Sequence, residues 1–591
     1  MTVTVLEKVP EDPEIILAWN DLVLRMESPE VFFTHQWALA ASRSFSDTLC
    51  PLIFLVFGSD GESGRLDGVA AMAVNRESPA AAFFLTASTA DYCDIVSAPE
   101  NRETVLAAVL KEMKKRNVQG LVLANVPAES LTLRVIGTLA RANRLHLHER
   151  RAYECGVISF GDAEQRQTVL QSVVRKEKEK RGLKKLGQLG PVQVTHLSCE
   201  PLETVLQSIF VAHISRFFAT NRLSPLIRPQ RRIFLVELGK LMSHAGWLKI
   251  SQLEVKSRPI AWNYGFRFLD SWFWYLPTFE IQYEETSPGS CLLRLLIEEA
   301  CADPSVKRLD MGLGDETYKA RFSNDSRLTR QVELSGSMQR HLINVGRHGL
   351  ATFVRKFPVV DKQLRSGRNL FHTMQGRIGR PAMVAAALAR AKRSVASEDE
   401  VAFFEAPPFE VPPMSASETD GAALSPLSWE AIAIAAMNNA DDEETLKYLA
   451  RSAQRLKRDR VTGYFLQGQE RQPSHFLWVD HYDGFHLSEI NSTLKSADPE
   501  AAMIFDCWTP VAQRGQGHYV TAIRMAAAYL QKQNRKAWIF SGASNESSVR
   551  GILKAGFVYS FSLVSRIRLL HATVSRRETT TYRQSMKSEI K

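Results

Sequence analysis

The sequence predicts an α/β chain of the α+β kind, with three mixed-sheet units, and three observations carry that prediction. Short apolar strand segments alternate with amphipathic helical segments over residues 1–335, the pattern resumes near residue 425, and the stretch between them is basic and then proline-rich. At 591 residues the chain is too long for one hydrophobic core. Its 45% hydrophobic and 23% charged residues exclude a wholly disordered, collagen-like or disulfide-scaffold protein.

Residues 1–160 form the first unit, with strands expected at 52–57, 68–74, 121–124 and 156–160 and helices at 15–26 and 104–116. A seam is expected near 150–165. Residues 161–335 form the second unit: a highly charged helix at 173–186, helices at 201–218 and 228–243, and strands at 247–255, 259–268 and 272–276. A helix at 290–301, preceded by Ser287-Pro288-Gly289, and a strand at 308–311 complete it. Residues 336–424 read as a linker, basic to about 394 and carrying four prolines within 406–417. The third unit spans 425–570, with helices at 429–438, 443–457 and 518–531 and strands at 461–467, 475–481, 484–490, 502–508 and 537–541; residues 571–591 read as a polar tail.

The net charge of +10 is local. Residues 336–394 hold twelve Lys or Arg against the single acid Asp361, so that stretch is +11 and the rest of the chain is −1. A global polyanion-binding role loses its support, and no specific nucleic-acid partner is expected; the linker is instead a candidate for peripheral contact with an anionic membrane. The seven cysteines are scattered and never spaced as CxxC, which points to reduced thiols and argues against zinc. The N-terminus lacks a signal-peptide pattern, and the longest apolar runs, 51–57 and 382–389, fall far short of the ~20 residues of a membrane span. The expected location is the cytoplasm.

In the third unit the strand at 502–508 leads through Pro510 into Arg514-Gly515-Gln516-Gly517-His518-Tyr519 and a helix. Two glycines let successive N–H groups line one concavity, and the helix dipole adds positive charge, a combination suited to a pyrophosphate. Asn545, Ser548 and Lys554-Ala555-Gly556-Phe557 follow. That order resembles the GNAT acetyltransferase superfamily. The resemblance implies acyl-CoA in the wedge between two splayed strands, with Arg514, Gly515, Gln516, Gly517, His518, Tyr519, Asn545 and Ser548 around the coenzyme. The sequence departs from the family at Tyr519, where the loop motif ends in a small residue, and at Ile552, where many relatives carry a general-acid Tyr. Asp506 is the base candidate of this unit, and a locally paired carboxylate is the competing reading; Tyr559, Tyr519 or solvent would supply the proton.

In the first two units the string includes Phe33-Thr34-His35-Gln36-Trp37, Asp91-Tyr92-Cys93-Asp94, Ala124-Asn125-Val126-Pro127, Phe210, His213 and Arg216, Ser287-Pro288-Gly289, and Asp310 through Gly312, Gly314, Asp315, Tyr318 and Lys319. This looks like the CelD-type acetyltransferases of bacterial cellulose biosynthesis, which are similar to Fem-type transferases with two paired GNAT-like halves. The fold expected is therefore three GNAT-like units, the first two a tandem Fem-like module and the third separate. The resemblance implies acyl transfer from acyl-CoA, most simply acetyl-CoA, to an amine or hydroxyl of a small molecule or glycan precursor, without a metal. Lys319, Tyr318, Asp315, His213 and Arg216 match its motifs and are the catalytic candidates. Lys319 suits a phosphate or oxyanion, and His213 a base. Equally open are a capping or ion-paired role for His213 and Arg216, a surface role for Lys319, and a solvated face for the charged run 175–185. Two rival functions remain: a Fem-type enzyme drawing on aminoacyl-tRNA, and a non-catalytic protein that senses coenzyme A or holds a partner.

Overall fold

The computed structural model describes residues 1–58, 64–199, 201–314, 316–343, 345–346, 396–407, 423–458, 461–468, 472–496, 498–568 and 571–578. They fall into two compact units, one comprising residues 1–213 and 228–363, the other 214–227 and 364–591. Both are mixed α/β.

The first unit is built on one sheet, not two. Its strands are β1 (Thr2–Leu6), β2 (Leu49–Phe57), β3 (Leu66–Asn75), β4 (Ala81–Phe84), β5 (Val96–Ser97), β6 (Gly120–Pro127), β7 (His146–Ser159), β8 (Val192–Leu197), β9 (Leu248–Val255), β10 (Arg258–Phe268), β11 (Ser271–Phe279), β12 (Arg308–Asp310) and β13 (Asp325–Ser335). They lie in the order β1-β2-β3-β4-β6-β13-β7-β12-β11-β10-β9-β8, with β5 beside β3. Two neighbouring pairs are parallel, β4 with β6 and β11 with β12. The seam expected near 150–165 is where the halves interlock. β13, the last strand of the second half, inserts between β6 and β7, while β7 continues into the second half to pair with β12. Each half thereby saturates backbone groups that would otherwise form an open edge.

Helices cover the sheet where the sequence alternates. In the second half Ala163–Val174, Glu177–Leu189 and Pro288–Ala302 bury Val169, Val173, Leu186, Leu292, Leu293, Leu296 and Ile297 against Leu253, Ala261, Trp272 and Trp274. The charged segment read as one helix is two, broken at Arg175 and Lys176. In the first half, helix Arg102–Lys115 lies so close to β3 that a Cβ on Gly68 would collide with Val105.

The second unit carries β14 (Ala396–Glu405), β15 (Ala423–Pro426), β16 (Thr462–Gln467), β17 (Pro473–His481), β18 (His486–Leu487), β19 (Ser492–Thr493), β20 (Ala502–Trp508), β21 (Ala537–Gly542), β22 (Val558–Arg568) and β23 (His571–Arg577). Eight form the order β15-β16-β17-β20-β21-β14-β22-β23, with β20 and β21 parallel; β18 and β19 pair separately. Three expectations change. The span 336–424 is not all linker, because β14 fills the slot between β21 and β22 and β15 forms the sheet edge. The polar tail begins with a strand, since β23 pairs along β22. The strand expected at 484–490 shrinks to the two residues of β18. Most of the basic stretch, and the polar tail beyond 578, lie outside the described residues.

Gly68→Ala should destabilise the first unit by about 1–3 kcal/mol, because β-branched Val105 is fully buried and has no open direction in which to yield. A lowered urea midpoint with an unchanged slope checks this; an unchanged midpoint would show that helix Arg102–Lys115 moves freely on the sheet.

Candidate active site

Parallel strands that part company leave a wedge between them. β11 and β12 pair only from Ser271↔Arg308 to Phe273↔Asp310. Beyond that point β11 continues through Trp274 and Tyr275, while the other chain turns at Gly312 towards the short helix Thr317–Phe322. The β4–β6 pair in the first half parts in the same way after Phe83↔Val122, but its gap is filled from within. Segment 85–95 runs back along β6, with the Cys93 N–H donating to the Asn125 carbonyl (3.0 Å) and Asn125 Nδ2 donating to the Ala90 carbonyl (3.1 Å).

That segment delivers Asp91 and Tyr92 to the second half. Its root is a buried network. Asp94 accepts from Ser130 Oγ (2.5 Å), Thr132 Oγ1 (2.6 Å) and Arg102 (3.4 Å), and Arg102, only 1% exposed, also grips Ser97 and Glu27. Its tip is held across the halves. The Tyr92 hydroxyl donates to Asp310 (2.9 Å), and the Tyr275 hydroxyl of β11 donates to the Thr89 carbonyl (2.6 Å). Arg327 stacks over Tyr92, 4.4 Å from the ring centre, and meets Glu30 (2.6 Å) and Asp310 (3.7 Å). Burial alone would depress the Arg327 guanidinium, but Glu30, Tyr92 and Asp310 outweigh it and hold the group well above its ordinary value.

Asp91 therefore lies against the Gly312–Leu313 turn. A Cβ on Gly312 would collide with its carboxylate, and Gly312 has φ +65, so the position requires glycine on both counts. Burial and the neighbouring Asp310 push the Asp91 carboxyl from 3.8 up to about 7, against opposing contributions from Lys319 and the Leu313 N–H. Asp310 is served by other donors, the Gly312 N–H (2.8 Å) and Tyr92. Two adjacent carboxylates in different environments are a recurrent way of keeping one of them available as a base near neutral pH. Asp91 stood in a quoted motif without being singled out. Its signal, the proximity of Asp310, is invisible along the chain.

Lys319 is neither a surface cation nor an open anion cradle. It is 6% exposed, and its ammonium meets the carbonyls of Gly312 (3.3 Å) and Leu313 (2.6 Å) and the Glu316 carboxylate (3.1 Å). Three partners match its three protons, so it staples the turn that carries the wedge. Tyr318 sits over the splay, its hydroxyl accepting from Trp274 Nε1 (3.2 Å). Asp315 lies outside the described residues. His213 and Arg216 share helix Leu202–Ala219, with His213 buried and Arg216 part-exposed beside Phe217.

In the second unit β20 and β21 pair up to Ile504↔Ile539 and then part. The glycine loop has the expected form: Gly515 and Gly517 have φ +81 and +83, open space surrounds both, and Gly517 caps helix His518–Lys532. His518 bonds Gln516 (3.1 Å), and Arg514 bends back to the Thr509 carbonyl (3.2 Å) and lies over Trp508. Other candidates here are spent locally. Asn545 caps helix Glu546–Lys554 through the Ser548 N–H (3.2 Å). Ser548 Oγ bonds the Tyr519 hydroxyl (3.0 Å), whose ring packs aside over Gly551. Asp506 is paired with Arg455 (2.6 Å). Among the described residues no group of three metal-ligating side chains converges, and no helix is long and apolar enough to cross a membrane.

The Asp91 environment makes stability depend on pH. The folded chain keeps the proton up to about pH 7 and the unfolded chain loses it near 4, so the stabilising contribution is full below 4 and falls as pH rises through 7. Asp91→Asn removes that slope. Its stability relative to the parent should improve by about 2–4 kcal/mol between pH 4 and pH 8, read from urea midpoints; a pH-independent difference would refute the assignment.

A FemX crystal structure is 10% identical over 56% of this chain and 97% of that chain, with a TM-score of 0.40. A tandem GNAT protein from the clavulanic acid biosynthesis pathway is 11% identical over 56% and 98% (TM-score 0.33). A conserved protein of unknown function from Bacteroides thetaiotaomicron is 13% identical over 56% and 100% (TM-score 0.36). No curated protein matches the chain. Residues 174–320, which hold β11, β12, Tyr318 and Lys319, match the family model of an acetyltransferase (GNAT) domain, and the chain is accordingly an acyltransferase.

Proposed function

We propose that the first unit, of the CelD type, transfers an acyl group from acyl-CoA, most simply acetyl-CoA, to an amine or hydroxyl of a small molecule such as a sugar, amino acid or cell-envelope precursor in the cytoplasm. The observation that carries this reading is Asp91, a carboxyl poised near pH 7 at the mouth of the β11–β12 wedge. The acyl thioester lies in the wedge, where β12 offers no partner to β11 beyond Phe273, so backbone N–H groups are placed to polarise its carbonyl. Asp91 accepts the amine proton as the new C–N bond forms. The C–S bond breaks, and the thiolate takes a proton from the Tyr318 hydroxyl, which Trp274 orients.

The donor's phosphates fit this half through an unusual route. The turn before helix Pro288–Ala302 contains Glu284 and Glu285 and no Lys or Arg. Helix Glu177–Leu189 lies directly on that turn, where a Cβ on Gly182 would collide with the Thr286 carbonyl and stand 2.7 Å from Cys291 Sγ. Its exposed Lys178, Arg181, Lys184 and Lys185 supply the charge the turn lacks. The same exposed cations favour a second reading, a Fem-type transfer from aminoacyl-tRNA. Binding of tRNA with a steep salt dependence would support that reading.

Thiol release from acetyl-CoA against an amine panel tests the first reading. Asp91→Asn should lower kcat by about 10²–10⁴-fold and abolish the rise in rate through pH 7 expected of the parent. Full activity in this variant would remove Asp91 from the mechanism. Lys319→Met should also cut turnover, with a lower melting temperature, because the turn loses its staple; a normal melting temperature with lost activity would restore a direct role for Lys319.

A further inference from the structure

We infer that the C-terminal unit binds a coenzyme A thioester without transferring its acyl group, because the segment from Tyr482 to Leu494 closes the face of its wedge from which an acceptor would attack. The inference rests on reading the glycine loop as the pyrophosphate site. Beyond the open glycines, a second feature supports that reading. His475, on β17, is 1% exposed and bonds Thr509 through Nδ1 (2.8 Å), while its buried Nε2 has no partner. The ring lies 5.5 Å from Tyr519 at the start of helix His518–Lys532. Burial and nearby His518 push His475 down to about 3, so the ring stays neutral, and in the tautomer whose Nδ1 accepts from the Thr509 hydroxyl the unpartnered Nε2 carries the proton.

The closed face follows from strand alternation. Ile504 and Ile539, the last paired residues of β20 and β21, are buried in the core formed with helices His518–Lys532 and Glu546–Lys554. The next residues, Phe505 and Phe540, face the other way. Phe485 covers both, its ring 5.0 Å from Phe505 and 5.8 Å from Phe540. The segment carrying Phe485 is a formed structure. β18 pairs with β19, Tyr482 N–H bonds the Ala501 carbonyl, and Phe485 and Leu494 are joined by the Leu494 N–H (2.9 Å). Tyr482, Phe485, Leu487, Ile490 and Leu494 are all buried with Phe403 and Phe561. A thioester threading the wedge from the glycine loop would meet an aromatic wall where the attacking amine must stand.

Among the described residues the proton-transfer candidates of this unit are engaged elsewhere, the Tyr559 hydroxyl with Ser562 (3.0 Å). Asp506 is neutralised by Arg455, which lies between Trp478 and Phe505. Ile552, where the GNAT resemblance places a Tyr, is fully buried in the core. The Tyr519 hydroxyl bonds Ser548.

Calorimetry and thiol-release assays on the full-length chain test this. In an Asp91→Asn background, acetyl-CoA should still bind at a site that Gly517→Glu removes, while the residual amine-dependent thiol release should be the same with and without Gly517→Glu. Release that appears in Asp91→Asn and vanishes when Gly517→Glu is added would overturn the inference. If Gly517→Glu leaves the number of acetyl-CoA molecules bound per chain unchanged, the pyrophosphate reading itself falls. Adding Phe485→Ala, or the milder Phe485→Leu should the first fail to fold, opens the face; with the small acceptor hydroxylamine it should raise Gly517-dependent release at least tenfold. Intact binding with no rise in either variant would overturn the occlusion.

Discussion

One constraint recurs through this protein: a parallel strand pair whose outer strand needs a further neighbour that its own half does not supply in sequence order. Beside β6 the neighbour is β13, beside β12 it is β7, and beside β21 it is β14. In each case the guest strand is antiparallel to its host. An unfilled slot would expose a row of backbone donors and acceptors at the centre of a sheet. The first unit solves the problem by reciprocal exchange, so neither half can be closed without the other. The second unit solves it with a strand from before its own first helix.

Exchange has a chemical consequence. Interlocking β7 and β13 brings Glu30, Tyr92 and Asp310 around Arg327, a residue of β13 itself. With that cluster in place, segment 85–95 can occupy the wedge of its own half and still reach the wedge of the other. The first half thus gives up a ligand slot and contributes a carboxylate. The raised pKa of Asp91 is a property of the pair of halves, because its causes, burial and Asp310, both come from the assembled sheet.

Much of this was legible in the chain. Alternating segments located most strands, and the glycine loop took the form its spacing implied, with Tyr519 packed aside as a bulky residue there requires. Other features were hidden for physical reasons. β14 begins Ala396-Ser397-Glu398-Asp399-Glu400, acidic residues without apolar alternation, and is followed by prolines, so it read as connector. Asn545 and Ser548 satisfy a coenzyme motif and a helix cap with the same spacing, and the cap is the bond that forms. Lys319 was visible as a cation near glycines, but whether its charge faces a ligand or two carbonyls depends on how the turn closes.

The three wedges differ in what occupies them more than in how they are built. That of β4 and β6 is filled by chain, that of β20 and β21 is walled by Phe485 on one side, and that of β11 and β12 has a titratable carboxyl at its mouth. Strand parting comes with the fold and costs no particular side chain, so it persists in all three. Chemistry requires specific groups: a base near its working pKa, an oriented hydroxyl, and an unobstructed face. Under the function proposed above, Asp91 and Tyr318 supply the base and the oriented hydroxyl between β11 and β12, and the base arrives from the half whose own wedge is filled.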